Sequence, residues 1–154
     1  MSAEKLVVGL MSGTSLDGID AVLVRFEGST VEDFGWTVLA FENTSYGLDH
    51  RALLLEGMEQ GTPDGLCRLN VLLGEWMAAA VLDVCEGAAV SLADLAAVGC
   101  PGHTIWHNPP EDGARGSTLQ LGDPATVAEV TGVAVVSDFR SRDVAAGGHG
   151  AHMV

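Results

Sequence analysis

The sequence predicts an α/β domain with a mixed sheet and flanking helices, and three observations carry that expectation. Short apolar runs at 5–10, 19–26, 34–41, 95–99, 118–121 and 133–136 are bounded by glycine, proline and hydroxyl residues, and each has the length of a buried strand. Between the third run and the fourth, Leu66, Leu69, Leu73, Trp76, Met77, Ala80 and Val84 recur every three or four positions, which draws an apolar stripe along one face of a helix. Neither an internal repeat nor a low-complexity linker divides the 154 residues, of which 47% are apolar, enough for one sizeable core.

Taken in order, Leu6 to Leu10 reads as the first strand and Ile19 to Phe26, apolar except for Asp20 and Arg25, as the second. Phe34 to Phe41 adds a third, after which "ENTSYG" reads as a loop. Helical territory runs from Leu48 to Met58, breaks at "GTPDG" over 61–65 and resumes over 66–86, where the apolar stripe should cover the sheet. Ser91 is placed to cap a short helix, "LADLAA", with Asp94 at the capping-box position. Leu95 to Gly99 forms a strand that runs into "CPGHTIWHNPP", whose Pro101, Pro109 and Pro110 argue against a regular helix. Thr118 to Leu121 is a further strand, followed by a helix over 124–131 with Asp123 as its cap and Pro124 in its first turn. Val133 to Val136 completes the series and leads into "SDFRSRDVAAGG".

The first turn carries the clearest chemistry. "LMSGTSLDGID", residues 10–20, sets glycines and hydroxyls between two strands. Gly13 and Gly18 let the backbone approach a ligand, Ser12, Thr14 and Ser15 supply hydroxyls, and the intervening amides can form an anion-binding concavity. Ionised Asp17 and Asp20 cannot donate to a phosphate and are suited to orienting a hydrated divalent cation or a nucleophilic water. No lysine follows the glycines, so this is not a P-loop, and an Asp-Gly hairpin with incidental serines is the competing reading.

Elsewhere the residue types leave alternatives open. His103 and His107 sit in a strand-end loop, where ligand clefts form in doubly wound sheets; they could contact a ligand, bond within the loop or, four residues apart, share a metal. Asp123 is a helix cap or a support for the site. Asp138, Arg140 and Asp143 could line a cleft or form ordinary salt bridges, with Arg142 as a solvated neighbour. Cys67, Cys85 and Cys100 lack the pairing of a disulfide framework or zinc site, and the first two, 18 residues apart, should share a helix face as packing residues. Trp76 reads as core and not as a base-stacking platform.

Acidic residues number 21 against seven basic ones, for a formal charge of -14. That balance repels nucleic-acid phosphates and anionic membrane surfaces. The apolar stretches are expected to fall short of the roughly 20 residues that span a bilayer, and the start has no secretory pattern, so a cytoplasmic location is the default expectation.

Four long segments then carry a resemblance. "GLMSGTSLDGIDAVLVRF" at 9–26, "GCPGHTIWHNPP" at 99–110, "TLQLGDPATVAEVTGVAVVSDFRSRDVAAGG" at 118–148 and the final "HGAHMV" closely resemble the amino-terminal part of anhydro-N-acetylmuramic acid kinases. The resemblance implies an actin-like ATPase (ribonuclease H-like) domain, one of two that close over a nucleotide-binding cleft. It implies ATP with Mg²⁺ as cofactors, 1,6-anhydro-N-acetylmuramic acid and water as substrates, and N-acetylmuramic acid 6-phosphate and ADP as products, in peptidoglycan recycling. On it, Gly13, Thr14, Ser15, Leu16, Asp17, Gly18, Ile19 and Asp20 form the phosphate-proximal loop, and His103, His107, Arg140 and Asp143 face the sugar.

The resembling enzymes are more than twice this length, and their catalytic base lies in a later Asp-Thr-Gly-Pro-Gly segment that this chain lacks. Residues 1–154 are therefore expected to be the amino-terminal domain or a fragment of a two-domain kinase, with no catalytic residue of its own and no activity in isolation. Pro101 stands where the family usually has histidine, His103 and His149 where it has glutamine, and His152 where it has proline. The other expectation is a non-catalytic ligand- or partner-binding remnant, or one half of a split kinase working with a carboxy-terminal partner; a homodimer is a further expectation from the family.

Overall fold

A computed structural model of the chain describes residues 4–111 and 114–150. Seven strands form one mixed sheet flanked by helices. Strands β1 (Lys5–Ser12), β2 (Gly18–Glu27) and β3 (Gly35–Ser45) make an antiparallel meander, and β4 (Leu95–Cys100) and β7 (Val135–Ser137) continue it in parallel on the far side of β1, giving the order β3-β2-β1-β4-β7. Strands β5 (His103–Asn108) and β6 (Ser117–Leu121) form an antiparallel pair that joins β1 where Ser12 meets His103. Mixed pairing with flanking helices is the α/β arrangement expected from the sequence and agrees with an actin-like ATPase fold.

Alternation along the strands decides which face is the core. Val8 and Leu10 of β1 pair with Leu23 and Ala21 of β2, and all four are buried on one face together with Val98 and Cys100 of β4. Helix α2 (Pro63–Gly87) lies on this face and buries Leu69, Leu73, Met77, Ala80, Val81 and Val84 against it. Leu66 and Trp76 are only partly buried at the rim, where Trp76 stacks near Tyr46 and His50. Helix α1 (Leu48–Gln60) contributes Leu54 to the core, and α3 (Pro124–Thr131) contributes Val127.

Several boundaries differ from the sequence expectation. The third strand continues to Ser45, so most of "ENTSYG" is strand; Glu42, Asn43 and Thr44 are held by pairing with Ala21, Asp20 and Ile19 despite their polarity. Residues 103–108 also form a strand where a loop was expected, because β6 supplies an antiparallel partner. Helix α2 starts three residues early, at Pro63, where the Thr62 hydroxyl accepts from the Gly65 amide and proline needs no donor of its own. Only one 3-10 turn, Leu92–Asp94, forms behind Ser91 before β4 begins. Helix α4 (Phe139–Ala145) was not foreseen.

Two further expectations fail on α2. Cys85 is buried but Cys67 is exposed, since the helix flank near its amino end has no cover from the described residues. At 25 residues α2 is also long and apolar enough to cross a membrane. Its buried stripe is the core of this fold, which accounts for its hydropathy without a bilayer.

The Asp123 cap is present: its carboxylate accepts from the Thr126 amide at 3.0 Å and hydroxyl at 2.6 Å. These bonds hold its pKa below the ordinary carboxylate value, the Thr126 hydroxyl contributing most. Asp123→Ala should cost about 1 kcal/mol, read in urea as a lower midpoint at unchanged slope; an unchanged midpoint would show that the cap contributes nothing.

Candidate functional site

The β1–β2 connection is a tight five-residue loop whose shape is set by its own backbone. The Leu16 amide donates to the Gly13 carbonyl at 3.2 Å, and Leu16 adopts a left-handed φ of 56° while its side chain is buried. A bulky residue in that conformation is strained; burial of the isobutyl group anchors it and turns Thr14 and Ser15 outward, where both are exposed. Gly18 cannot be larger, since a Cβ there would lie 2.9 Å from the Ser45 Cα.

The side chains of this loop divide into three groups. Ser15 donates to the Asp17 carboxylate at 2.9 Å, which is the main reason the Asp17 pKa is lowered and keeps a negative charge at the loop tip. Asp20 accepts from Asn43 at 2.7 Å, and the half-buried carboxylate points to the sheet face opposite α2. Leu16 and Ile19 are core residues; Ile19 also pairs with Ser12 in the sheet, so its side chain cannot reach a nucleotide. Gly13, Thr14, Ser15, Asp17 and the half-buried Asp20 are the members of the predicted group that reach solvent.

Behind the loop lies a buried polar relay that the sequence reading missed. The Ser12 hydroxyl is 2.7 Å from the Tyr46 hydroxyl and 2.8 Å from His103 Nδ1. All three residues are buried, His103 completely. His103 supports the cleft wall through Ser12, and its buried Nε2 has no hydrogen-bond partner among the described residues. Ser12 has one proton and two lone pairs: with Tyr46 and His103 both donating to it, its own proton is aimed elsewhere, whereas the other histidine tautomer draws that proton back. Tyr46 lies in the segment read as a loop, and only a contact across 34 residues reveals it.

Burial lowers the His103 pKa below its ordinary value. The unfolded chain takes up this proton as pH falls below about 6.5, while the folded chain resists it, so stability is held above that pH and lost as pH falls toward the depressed folded value. His103→Gln cannot titrate and should flatten that part of the profile. Urea midpoints at pH 7.5 and 5.5 check this; an equal drop in both proteins would contradict it. Tyr46, raised first of all by burial, acts at the opposite end: the unfolded phenol ionises first, and stability falls as pH rises past about 10.

Ser12 also lines a cleft of about 210 Å³ with Met11, Pro101, Gly102, Thr104, Phe139, Arg140 and Gly150. Three elements thus converge at the carboxyl ends of β1 and β4, the position expected for a ligand in an open α/β sheet. Gly102 has a φ of 72°, and a Cβ there would lie 2.8 Å from the Leu121 carbonyl, so the turn after Pro101 requires glycine. The left-handed Asp138, φ 60°, ends β7 and starts α4, which brings Arg140 to the cleft.

Asp143 and His107 are placed differently. Asp143 accepts from the Gly150 amide at 2.8 Å and presses on Gly148, folding the 147–150 turn against α4. His107 approaches the same Gly150 from β5, and its buried Nδ1 has no hydrogen-bond partner among the described residues. Asp143 holds the turn that borders the cleft, His107 lies beside it, and Arg140 is the one member of the predicted sugar set that lines the cleft directly. His149 is exposed, and His152 lies outside the described residues. Among the described residues no group of three His, Cys, Asp or Glu could hold a metal.

The profile of the family described as "Anhydro-N-acetylmuramic acid kinase" matches residues 5–154. Proteins of that name are similar to the chain: one from Caldanaerobacter subterraneus subsp. tengcongensis is 45% identical over 157 residues, covering 98% of this chain and 39% of the relative. Another, from Bacillus thuringiensis subsp. konkukian, is 46% identical over 153 residues, covering 96% of this chain and 39% of the relative. One from Bacillus anthracis is 45% identical over the same length. The chain thus spans 39% of the length of these relatives.

Proposed function

The chain belongs to the anhydro-N-acetylmuramic acid kinase family, and on that premise we propose that it supplies the amino-terminal wall of a sugar-kinase active site. The complete enzyme converts 1,6-anhydro-N-acetylmuramic acid, ATP and water to N-acetylmuramic acid 6-phosphate and ADP. The observation that supports this reading is the convergence of Ser12, Gly102 and Arg140 on one cleft beside the β1–β2 loop.

Each group has a defined task in that reading. The backbone of residues 13–15 and the Thr14 hydroxyl receive phosphate oxygens. The loop's donor set fits a phosphate only with a counter-charge, because Asp17 stays ionised and Ser15 is committed to it. Mg²⁺ supplies that charge when bound, and Asp17 and Asp20 are suited to holding its waters, since Mg²⁺ is usually bound by one or two carboxylates together with substrate phosphates. Arg140 pairs with the sugar carboxylate through directional donors, and Ser12, fixed by Tyr46 and His103, orients a sugar hydroxyl.

Phosphoryl transfer to O6 and attack of water at the anomeric carbon have to be aligned in one closed site. Activation of that water belongs to the aspartate that the family carries farther along its chain. A cytoplasmic location and a role in recycling cell-wall sugars are parts of the same proposal. Amide NMR titrations test the division of the site: the anhydro-sugar should shift resonances of Ser12, Gly102 and Arg140, and MgATP those of 13–17. Sugar-induced shifts confined to the groove between α1 and α2, around Leu53 and Arg68, would refute it.

A further inference from the structure

The β1–β2 loop is tied at both ends to one residue outside it. Tyr46 follows β3, whose last residue, Ser45, pairs with Gly18. The Tyr46 amide donates to the Asp17 carbonyl at 3.1 Å, and its hydroxyl lies 2.7 Å from that of Ser12. Ser12 ends β1 and Asp17 immediately precedes β2, so the main chain and side chain of Tyr46 together fix the separation of the two loop ends.

The Tyr46 ring is itself held by two helices. It is buried, with its centroid 5.9 Å from the Trp76 ring of α2 and 6.1 Å from the His50 ring of α1. The loop is thereby fixed to the helical layer as well as to its own sheet. Burial raises the pKa of the phenol, which keeps the proton that the hydroxyl donates to Ser12.

An outside tie matters because the loop's own backbone opposes its shape. Leu16 is left-handed at φ 56°, a conformation that a bulky residue keeps only where its surroundings impose it. Within the loop, the Leu16 amide makes a 3.2 Å bond to the Gly13 carbonyl, and Ser15 is spent on Asp17. A concavity of backbone amides binds an anion only while the turn holds its shape.

We propose that Tyr46 is a positioning residue for phosphate binding: by bonding Ser12 and Asp17 at once, it holds residues 13–17 in the conformation whose amides receive a phosphate. The proposal rests on the reading of this loop as the phosphate-proximal one. Tyr46 acts through the loop and needs no contact with the ligand.

Amide hydrogen exchange and MgATP titration of the 154-residue chain test it, with Tyr46→Phe removing the hydroxyl and keeping the ring. Exchange at the Leu16 amide should quicken by about two- to tenfold, the factor that corresponds to one net hydrogen bond. MgATP affinity, read from the shifts of residues 13–17, should fall by at least about twofold, as the competent loop becomes less populated. Ser12→Ala should quicken the same amide, and adding Tyr46→Phe to it should change little, since both substitutions remove one shared bond. Thr62→Ala, which takes a comparable amount of stability from the α2 cap, should alter neither Leu16 exchange nor MgATP affinity. If MgATP leaves residues 13–17 unmoved in the parent, the phosphate reading fails and the proposal with it. Shifts in the parent with equal affinity in Tyr46→Phe would overturn the proposal alone, as would unchanged Leu16 exchange. An equal loss of affinity in Thr62→Ala would likewise overturn it and reduce Tyr46 to a stabilising residue.

Discussion

Incubated alone with MgATP and 1,6-anhydro-N-acetylmuramic acid, the 154-residue chain should yield no sugar 6-phosphate above the uncatalysed background. A positioned general base contributes roughly 10²- to 10⁴-fold, and alignment of reactants in a closed site contributes about 7–11 kcal/mol of the barrier. The described cleft has one wall and is lined by Ser12, Thr104 and Arg140 with glycine, proline and apolar neighbours; none of these is suited to deprotonate water. The buried His103 bonds Ser12 through Nδ1 and does not line the cleft. Mass-spectrometric detection of product checks this, with homogeneity confirmed by sedimentation. Turnover that scales with this chain, and not with trace full-length enzyme, would contradict it.

The second large effect belongs to Arg140. In a chain completed by the carboxy-terminal remainder of a relative, Arg140→Ala should lower kcat/KM by about 10- to 150-fold, the range that corresponds to losing one hydrogen bond to a charged group, about 1.5–3 kcal/mol. Arg140→Lys should recover little of it, because an ammonium cannot reproduce a planar two-pronged contact with a carboxylate. Arg140 makes no ion pair among the described residues, so circular dichroism and thermal midpoint should stay near those of the parent. Equal kcat/KM in parent and Arg140→Ala would remove Arg140 from the sugar site.

The strands and long helices were legible because their signals are local. The stripe from Leu66 to Val84 and the apolar runs around Val8 and Val22 state their period directly, and Pro124 with Asp123 marks the start of α3 through an ordinary cap. What escaped the sequence depends on partners remote in the chain. Residues 42–45 and 103–108 became strands because β2 and β6 supply partners, which overrides the polarity and the nearby prolines. For α4, the decisive feature is the left-handed Asp138, a backbone conformation that composition does not announce.

The candidate site was legible in outline and not in its internal division of labour. The glycine and hydroxyl content of 12–18 marked the loop, yet the same letters could not show that Leu16 and Ile19 face the core or that Ser15 is spent on Asp17. His103 drew notice for its ring nitrogens in a strand-end loop. Its full burial against Ser12 and Tyr46 follows only from the meeting of β5 with β1. The bond from the Gly150 amide to one oxygen of the exposed Asp143 carboxylate is likewise a contact that the sequence does not announce.

Product formation by the completed chain tests the central claim most directly. Residues 1–154 joined to the carboxy-terminal remainder of the Caldanaerobacter relative, purified as a folded monodisperse protein, should convert 1,6-anhydro-N-acetylmuramic acid and ATP to the 6-phosphate and ADP in equal amounts. A folded chimaera that binds MgATP and the anhydro-sugar but forms no 6-phosphate would contradict the assignment of this domain to the kinase site.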